Sequence, residues 1–220
     1  MDLQFFEIIP KTGPMFVGAL YTIFVGFIAC GVGIIVGTAL LLMRNSRFWP
    51  IRKFVGLYGS FIRGTPALVQ ILVFYYALAP LTGIDVGPLT AGIMAVGFNS
   101  GAYVAEILRG GLSRIPDGQW EAAEALGLPK REIWFKIILP QVFNSTIPLL
   151  VNEFTMVIKI TPLLSTITLV ELTRASQILY TETFRPVEVL LIAALVYFVI
   201  CFSISQYGEY LQRRSVKYRL

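Results

Sequence analysis

Apolar residues in this chain come in long blocks, not in short alternation with polar ones. The blocks fall at about 14–43, 66–80, 89–108, 137–160 and 187–208. About 20 consecutive, mainly apolar residues carry an α-helix across the hydrocarbon of a bilayer. The pattern therefore predicts an all-α integral membrane protein, a single domain over residues 1–220 with five transmembrane helices. The first block is long enough to tilt or to project beyond the bilayer. Within it Gly33 and Gly37 form G-x-x-x-G, with Ala29 one step before, a spacing that lets two helices approach closely. Residues 1–13 are amphipathic (Phe5, Phe6, Ile8 and Ile9 beside Asp2, Glu7 and Lys11) and suit an interfacial lead-in. Thr65 and Pro66 read as N-cap and first helical residue of the second block. Residues 161–186 are too polar to cross, and Thr168-x-x-Glu171 reads as a capping box opening a short amphipathic helix at the surface.

The polar stretch between the third and fourth blocks, residues 115–136, has a helical signature of its own. Asp117 or Gly118 supplies a cap after Ile115-Pro116, Gln119 to Leu126 contain good helix formers, and Pro129 blocks continuation. Gly127 sits where a C′ glycine with positive φ is expected. A helix of about ten residues is marginal alone in water, so this one needs a surface to hold it. Ala122, Ala123 and Ala125 leave little bulk, so that another surface can come close to the backbone.

Composition agrees with a membrane solvent. The chain is 56% hydrophobic with mean hydropathy +0.73, and 14% of its residues are charged, against about a quarter in soluble domains. The net charge of +5 does not mark a nucleic-acid face, because Lys and Arg cluster at the ends of the apolar blocks. With the N-terminus outside and the C-terminus inside, five spans put fourteen of the 18 Lys and Arg on the cytoplasmic side, in 44–53, at Arg63, in 109–136 and in 213–219. That bias satisfies the positive-inside rule and places residues 115–136 in the cytoplasm. Histidine is absent, Cys30 and Cys201 lie inside apolar blocks without motif spacing, and no Walker A sequence occurs. No metal site, no enzyme chemistry and no signal peptide is expected.

The fourth block carries the unusual chemistry. Gln141, Ser145, Pro148, Asn152, Thr155 and Lys159 follow a helical spacing of three and four and form one stripe, with Glu153 beside it. A charge near the bilayer centre costs on the order of 2.5–3.5 kcal/mol on insertion scales. Glu153 lies in the outer half of its span and is expected to face protein or water. Its candidate role is as a substrate ligand, with Asn152 and, on the third block, Asn99 adding polar contacts. The alternative is a structural pair with Lys159, although six residues apart the two are poor helical neighbours. Gln70 reads equally as inter-helix glue or as a lining residue. Glu106 falls near a helix end, where pairing with Arg109 is cheap.

The pattern E-A-A-x3-G-x9-I-x-L-P, met by Glu121, Ala122, Ala123, Gly127, Ile137, Leu139 and Pro140, resembles the EAA loop of permease subunits in ATP-binding-cassette importers. Further pieces resemble the polar amino-acid subfamily: R-G-T-P at 63–66, A-Y-V-A-E at 102–106, R-G-G at 109–111, G-Q-W-E-A-A at 118–123 and N-E-F at 152–154. The likeness covers nearly the whole chain. It departs at K-I-T-P-L, residues 159–163, where such permeases often read K-D-T-S-L; Ile160 removes a carboxylate and Pro162 bends or ends the helix. The resemblance implies the transmembrane subunit of an importer of polar, basic-biased amino acids in the inner membrane of a bacterium, working by alternating access. It implies two ATPase subunits carrying ATP and Mg, a second permease subunit, and an extracytoplasmic amino-acid-binding protein. Glu121, Ala122, Ala123, Leu126 and Gly127 then form a coupling helix for the ATPase, and Glu153, Asn152, Asn99, Gln70 and Lys159 are the candidate substrate contacts. The competing class, a stand-alone channel or ion-coupled carrier, predicts linked ionisable residues over several spans or internal repeats, neither of which the sequence displays.

Overall fold

A computed structural model of the protein describes residues 5–216. Asp2, Lys217 and Arg219, part of the amphipathic lead-in and of the basic tail, lie outside them. The described residues contain helices and no strand. A short helix α1 (Phe5–Ile8) and a 3-10 turn (Ile9–Lys11) lead into α2 (Gly13–Arg44). Ile8 is buried, packed with Met15, Leu172 and Val189, so the lead-in is docked on the bundle by one side while Phe6 stays exposed.

The 32 residues of α2 extend about 48 Å at 1.5 Å per residue, well beyond a hydrocarbon core of about 30 Å. Its partner is α6 (Pro88–Leu112), and small residues on both helices set their separation. A Cβ on Gly97 would lie 2.6 Å from Val32, one on Gly101 2.6 Å from Val36, and one on Gly37 2.6 Å from Val104. Each valine thus occupies the space that a glycine of the other helix leaves. The close packing expected of Gly33 and Gly37 is present.

Between these two helices the chain departs from the sequence reading. Residues 49–64, expected as basic loop and lead-in, form a complete amphipathic helix, α3 (Trp49–Gly64). Its buried residues Val55 and Ile62 are seven apart, a helical repeat that the flanking Arg and Lys had hidden from a search for apolar blocks. The chain then bends by 109° into α4 (Ala67–Leu72), a π-helical turn (Val73–Ala77) and α5 (Leu78–Thr82). Thr65 is not the N-cap of this segment. It ends α3 in an extended conformation, its hydroxyl donates to the Phe61 carbonyl at 2.9 Å, and Pro66 takes the cap position. Proline pushes the residue before it out of the α region, which fixes the corner at Thr65.

After α6 come α7 (Asp117–Ala125), α8 (Lys130–Glu132), a π-helical turn (Ile133–Ile138), α9 (Leu139–Ile160) and a 3-10 helix (Thr161–Ile167). Asp117 and Gly118 do not cap α7. The cap position is Pro116, Asp117 is already helical, and no side-chain cap forms, since proline presets the backbone for a following helix. α9 gives way to 3-10 geometry just before Pro162, as expected of that proline. The capping box at Thr168 does not form either. Thr168 has φ 66° and ends the 3-10 helix, while Glu171 itself caps α10 (Leu172–Thr183) through the N–H groups of Thr173 and Arg174. The last helix is α11 (Pro186–Val216).

Four described helical runs are long and apolar enough to cross a membrane: Gly13–Arg44, Pro88–Leu112, Lys130–Ile167 and Pro186–Leu211. The bent pair Trp49–Gly64 and Ala67–Ala77 makes five if it counts as one span. Three packed clusters lie along the bundle: one around Leu108, Ile138 and Val142 near α7, one around Val25, Val96 and Val157, and one around Ile8, Leu172 and Val189 near α10.

Candidate functional site

Glu153 is carried by α9, the helix that packs against α6. From α6, Ser100 donates its hydroxyl to Glu153 Oε1 at 2.8 Å. Ser100 is itself fixed from behind, because its Cβ and Oγ lie 2.9 Å from where a Cβ on Gly33 would stand. The small residues of α2 therefore position the hydroxyl that holds the acid. No ion pair joins Glu153 to Lys159 among the described residues, so the structural pair weighed from the sequence is not formed.

Glu153 and Lys159 line a common cavity of about 270 Å³ with Thr65, Ala67, Asn99, Tyr103, Met156 and Ile160. Asn99 is buried and donates its amide to Gln70 Oε1 at 2.9 Å, leaving its carbonyl oxygen free of protein donors among the described residues. Gln70 is otherwise committed to the corner: its amide donates to the Ile62 carbonyl at 2.8 Å and to Thr65 Oγ1 at 2.8 Å. These are the bonds of a clamp between the α3–α4 bend and α6, and Gln70 is not among the cavity-lining residues. Asn152 is exposed and also lies outside the lining. Lys159 reaches a second cavity, of about 450 Å³, where α9 faces Tyr197, Phe198 and Cys201 of α11. Chemically the first cavity offers a carboxylate and an amide carbonyl for a cation, and an ammonium for an anion.

Two other acids are held quite differently. Glu106 meets Arg44 at 3.2 Å, Arg63 at 3.0 Å and Arg109 at 2.6 Å, so three helices are tied at one carboxylate. The Arg109 contact was legible from its spacing; Arg44 and Arg63 are distant in sequence and gave no signal. Glu171 is fully buried at the start of α10, where Thr173 N–H, Arg174 N–H and the Tyr197 hydroxyl donate to it at 2.9, 2.8 and 2.7 Å. Burial pushes its carboxyl above the usual carboxylate range, and those hydrogen bonds oppose the rise.

α7 is clasped on one side and open on the other. Trp120 and Trp134 meet edge to face at 5.2 Å, Gln141 donates to Gln119 at 3.2 Å, and Ala123 is buried. Glu121, Ala122 and Gly127 are exposed, and Leu126 is 78% exposed. The C-terminus closes as a Schellman motif, with Gly127 N–H donating to Glu124 and Leu128 N–H to Ala123. Gly127 has φ 71° and open space around it, so conformation and not crowding demands the glycine.

Comparison with known proteins gives one consistent likeness. The family model described as "Binding-protein-dependent transport system inner membrane component" matches residues 29–217. A Rickettsia typhi protein named as a glutamine transport system permease is 36% identical over 207 residues, 94% of this chain and 95% of its own length. The arginine transport system permease protein ArtQ of Bacillus subtilis is 32% identical over 214 residues, covering 97% of this chain and 98% of that one. A crystal structure of an amino acid ABC transporter with histidines superposes with a TM-score of 0.87 at 34% identity, over 97% of this chain and 100% of the other.

Proposed function

The chain belongs to the binding-protein-dependent transport system inner membrane components, and from that premise we propose that Glu153 is the substrate contact of an amino-acid importer whose motor acts on α7. The chain is the transmembrane subunit of an ATP-binding-cassette importer of amino acids. Its cargo binds in the cavity of Glu153, Asn99, Tyr103 and Lys159. A volume of about 270 Å³ lies just below the usual range of ligand pockets, about 300–1,000 Å³, and suits a ligand as small as one amino acid.

The observation that carries the reading is a half-buried carboxylate facing that cavity with, among the described residues, a single hydrogen bond and no cation partner. An ammonium or guanidinium on the substrate supplies the missing charge, with the Asn99 carbonyl as a second acceptor, and Lys159 receives the α-carboxylate. Asn152 flanks Glu153 on the approach. Relatives named for glutamine and for arginine span neutral and basic cargo, so the bias toward basic amino acids rests on Glu153 alone.

The distribution of Lys and Arg supports an outside N-terminus, with α7 in the cytoplasm and α10 on the outer side near a docked binding protein. Two ATPase subunits, which hold ATP and Mg, press on the open face of α7 at Glu121, Ala122 and Leu126. Its rigid clasp passes the movement to α9, and two permease subunits rock about the shared pathway. Glu153→Gln keeps shape and removes charge. The assembled variant is expected to lose uptake, most for basic amino acids, at unchanged assembly. Wild-type uptake of basic and neutral amino acids by a well-assembled Glu153→Gln complex refutes the assignment.

A further inference from the structure

The transport reading leaves α3 without a task, although it carries three distinct flanks. Val55 and Ile62 are buried against the bundle. Phe54, Leu57 and Phe61, spaced three and four, are 54%, 62% and 64% exposed. Arg52 and Lys53 in its first turn, with Arg47 just before it, form a basic flank.

Those three cations lack counterions among the described residues. None makes an ion pair among the described residues, and Lys53 Nζ lies 4.9 Å over the Trp49 ring instead. The sequence has no Asp or Glu between Glu7 and Asp85. Glu106, the acid that Arg44 and Arg63 reach, is already shared by three guanidinium groups. A basic surface with no acid of its own is complementary to an anionic one.

The contacts of α3 with α2 and α6 fix how it meets the membrane. α3 turns by 109° from the segment that follows it. Its 16 residues extend about 24 Å, short of a hydrocarbon core of about 30 Å. It descends along α6, since Tyr58 donates to the Phe98 carbonyl at 2.7 Å and the Ile62 carbonyl accepts from Gln70, which holds Asn99, while Arg63 is paired with Glu106. Its first turn, close in sequence to the end of α2, stays at headgroup depth, and the exposed Phe54, Leu57 and Phe61 beyond it face the acyl chains.

We propose that the start of α3 is a lipid site whose Arg47, Arg52 and Lys53 bind the phosphate headgroup of an anionic phospholipid, with Phe54, Leu57 and Phe61 beside its acyl chains. This rests on the chain's place in a membrane and on neither the substrate site nor the coupling role of α7. The site selects lipid charge, weakens with ionic strength, and ties the outer edge of the α2–α6 pair to the leaflet.

The test uses the full chain purified with its partner subunits. Phosphatidylglycerol and phosphatidylcholine of equal acyl composition are added together at equal concentration, and retained lipid is counted by native mass spectrometry. The wild type is expected to retain phosphatidylglycerol preferentially. Each of Arg47→Gln, Arg52→Gln and Lys53→Gln lowers that preference roughly fivefold, as expected for one basic residue near an anionic surface. The charge-conserving pair Arg47→Lys with Arg52→Lys keeps it, which separates charge loss from misfolding. Equal retention of the two lipids by the wild type overturns the proposal. So does an unchanged preference in the triple glutamine variant. If that variant instead releases a partner subunit at unchanged lipid preference, the flank is a protein interface and the proposal fails.

Discussion

Gly33→Ala tests the chain of contacts from the α2–α6 interface to Glu153. An added Cβ would stand 2.9 Å from Ser100 Cβ and Oγ and 3.4 Å from the Gly101 nitrogen. Something must move, and Ser100 is the side chain in the way. Overpacking a tight interface costs about 1–3 kcal/mol of stability. Displacing Ser100 also removes the hydrogen bond that orients Glu153, and a hydrogen bond to a charged group is worth roughly 1.5–3 kcal/mol, or about a 10- to 150-fold loss in substrate affinity. Gly37→Ala is the internal control. Its Cβ would meet Val104 at 2.6 Å and the Ala105 nitrogen at 2.9 Å, a tighter clash that does not involve Ser100. Ser100→Ala removes the hydroxyl with no clash. In proteoliposomes containing the complete transporter, Gly33→Ala and Gly37→Ala should both lower the melting temperature, Gly37→Ala by more. Gly33→Ala and Ser100→Ala should raise the half-saturating concentration for uptake, while Gly37→Ala should not. Gly33→Ala with wild-type half-saturation and a lowered melting temperature would refute the link between the glycine stripe and the site.

Two further outcomes address the coupling helix and the orientation. Gly127→Val meets no crowding, but φ 71° is a left-handed conformation that costs a residue with a Cβ about 1–2 kcal/mol. It should break the Schellman closure and abolish substrate-stimulated ATP hydrolysis in a complex that still inserts; normal stimulation in that variant counts against α7 as the lever. A single cysteine at Thr181, an exposed residue of α10, in a chain whose Cys30 and Cys201 are replaced, should react with an impermeant thiol reagent from the outer side. Labelling from the cytoplasmic side alone would invert the whole arrangement.

The helices that cross the bundle were legible because a 20-residue apolar block has few other uses. What the blocks hid was α3. Its buried residues are only Val55 and Ile62, and the basic residues around them made the stretch look like loop. The caps failed for local reasons: Thr65 was diverted by the proline after it, and Thr168 by the 3-10 helix that it ends. At the site, Glu153 and Asn99 could be picked out because each is costly inside a membrane. Ser100 could not, since one serine among small residues carries no signal until α2 and α6 meet. The commitment of Gln70 to the Ile62 and Thr65 carbonyls was equally invisible, because it depends on a 109° bend that no local pattern announces.

Glu106, Glu171 and Glu153 differ in how fully they are satisfied. Glu106 has three guanidinium partners, and Glu171 has three hydrogen-bond donors, two of them backbone N–H groups of the helix it caps. Both are used up where they stand, one tying α2, α3 and α6 near the α7 end and the other tying α10 to α11. Buried polar groups are normally paired, and an exception calls for an explanation. Glu153 is half-buried and the least satisfied of the three, with one serine hydroxyl and a cavity wall shared with Asn99 and Lys159. Were it a structural acid like the other two, a cation six residues away on the same helix would be the cheapest remedy, yet Lys159 lines the cavity without pairing to it. On the proposed reading, two carboxylates pin the bundle and the third is left for a charge that arrives and departs.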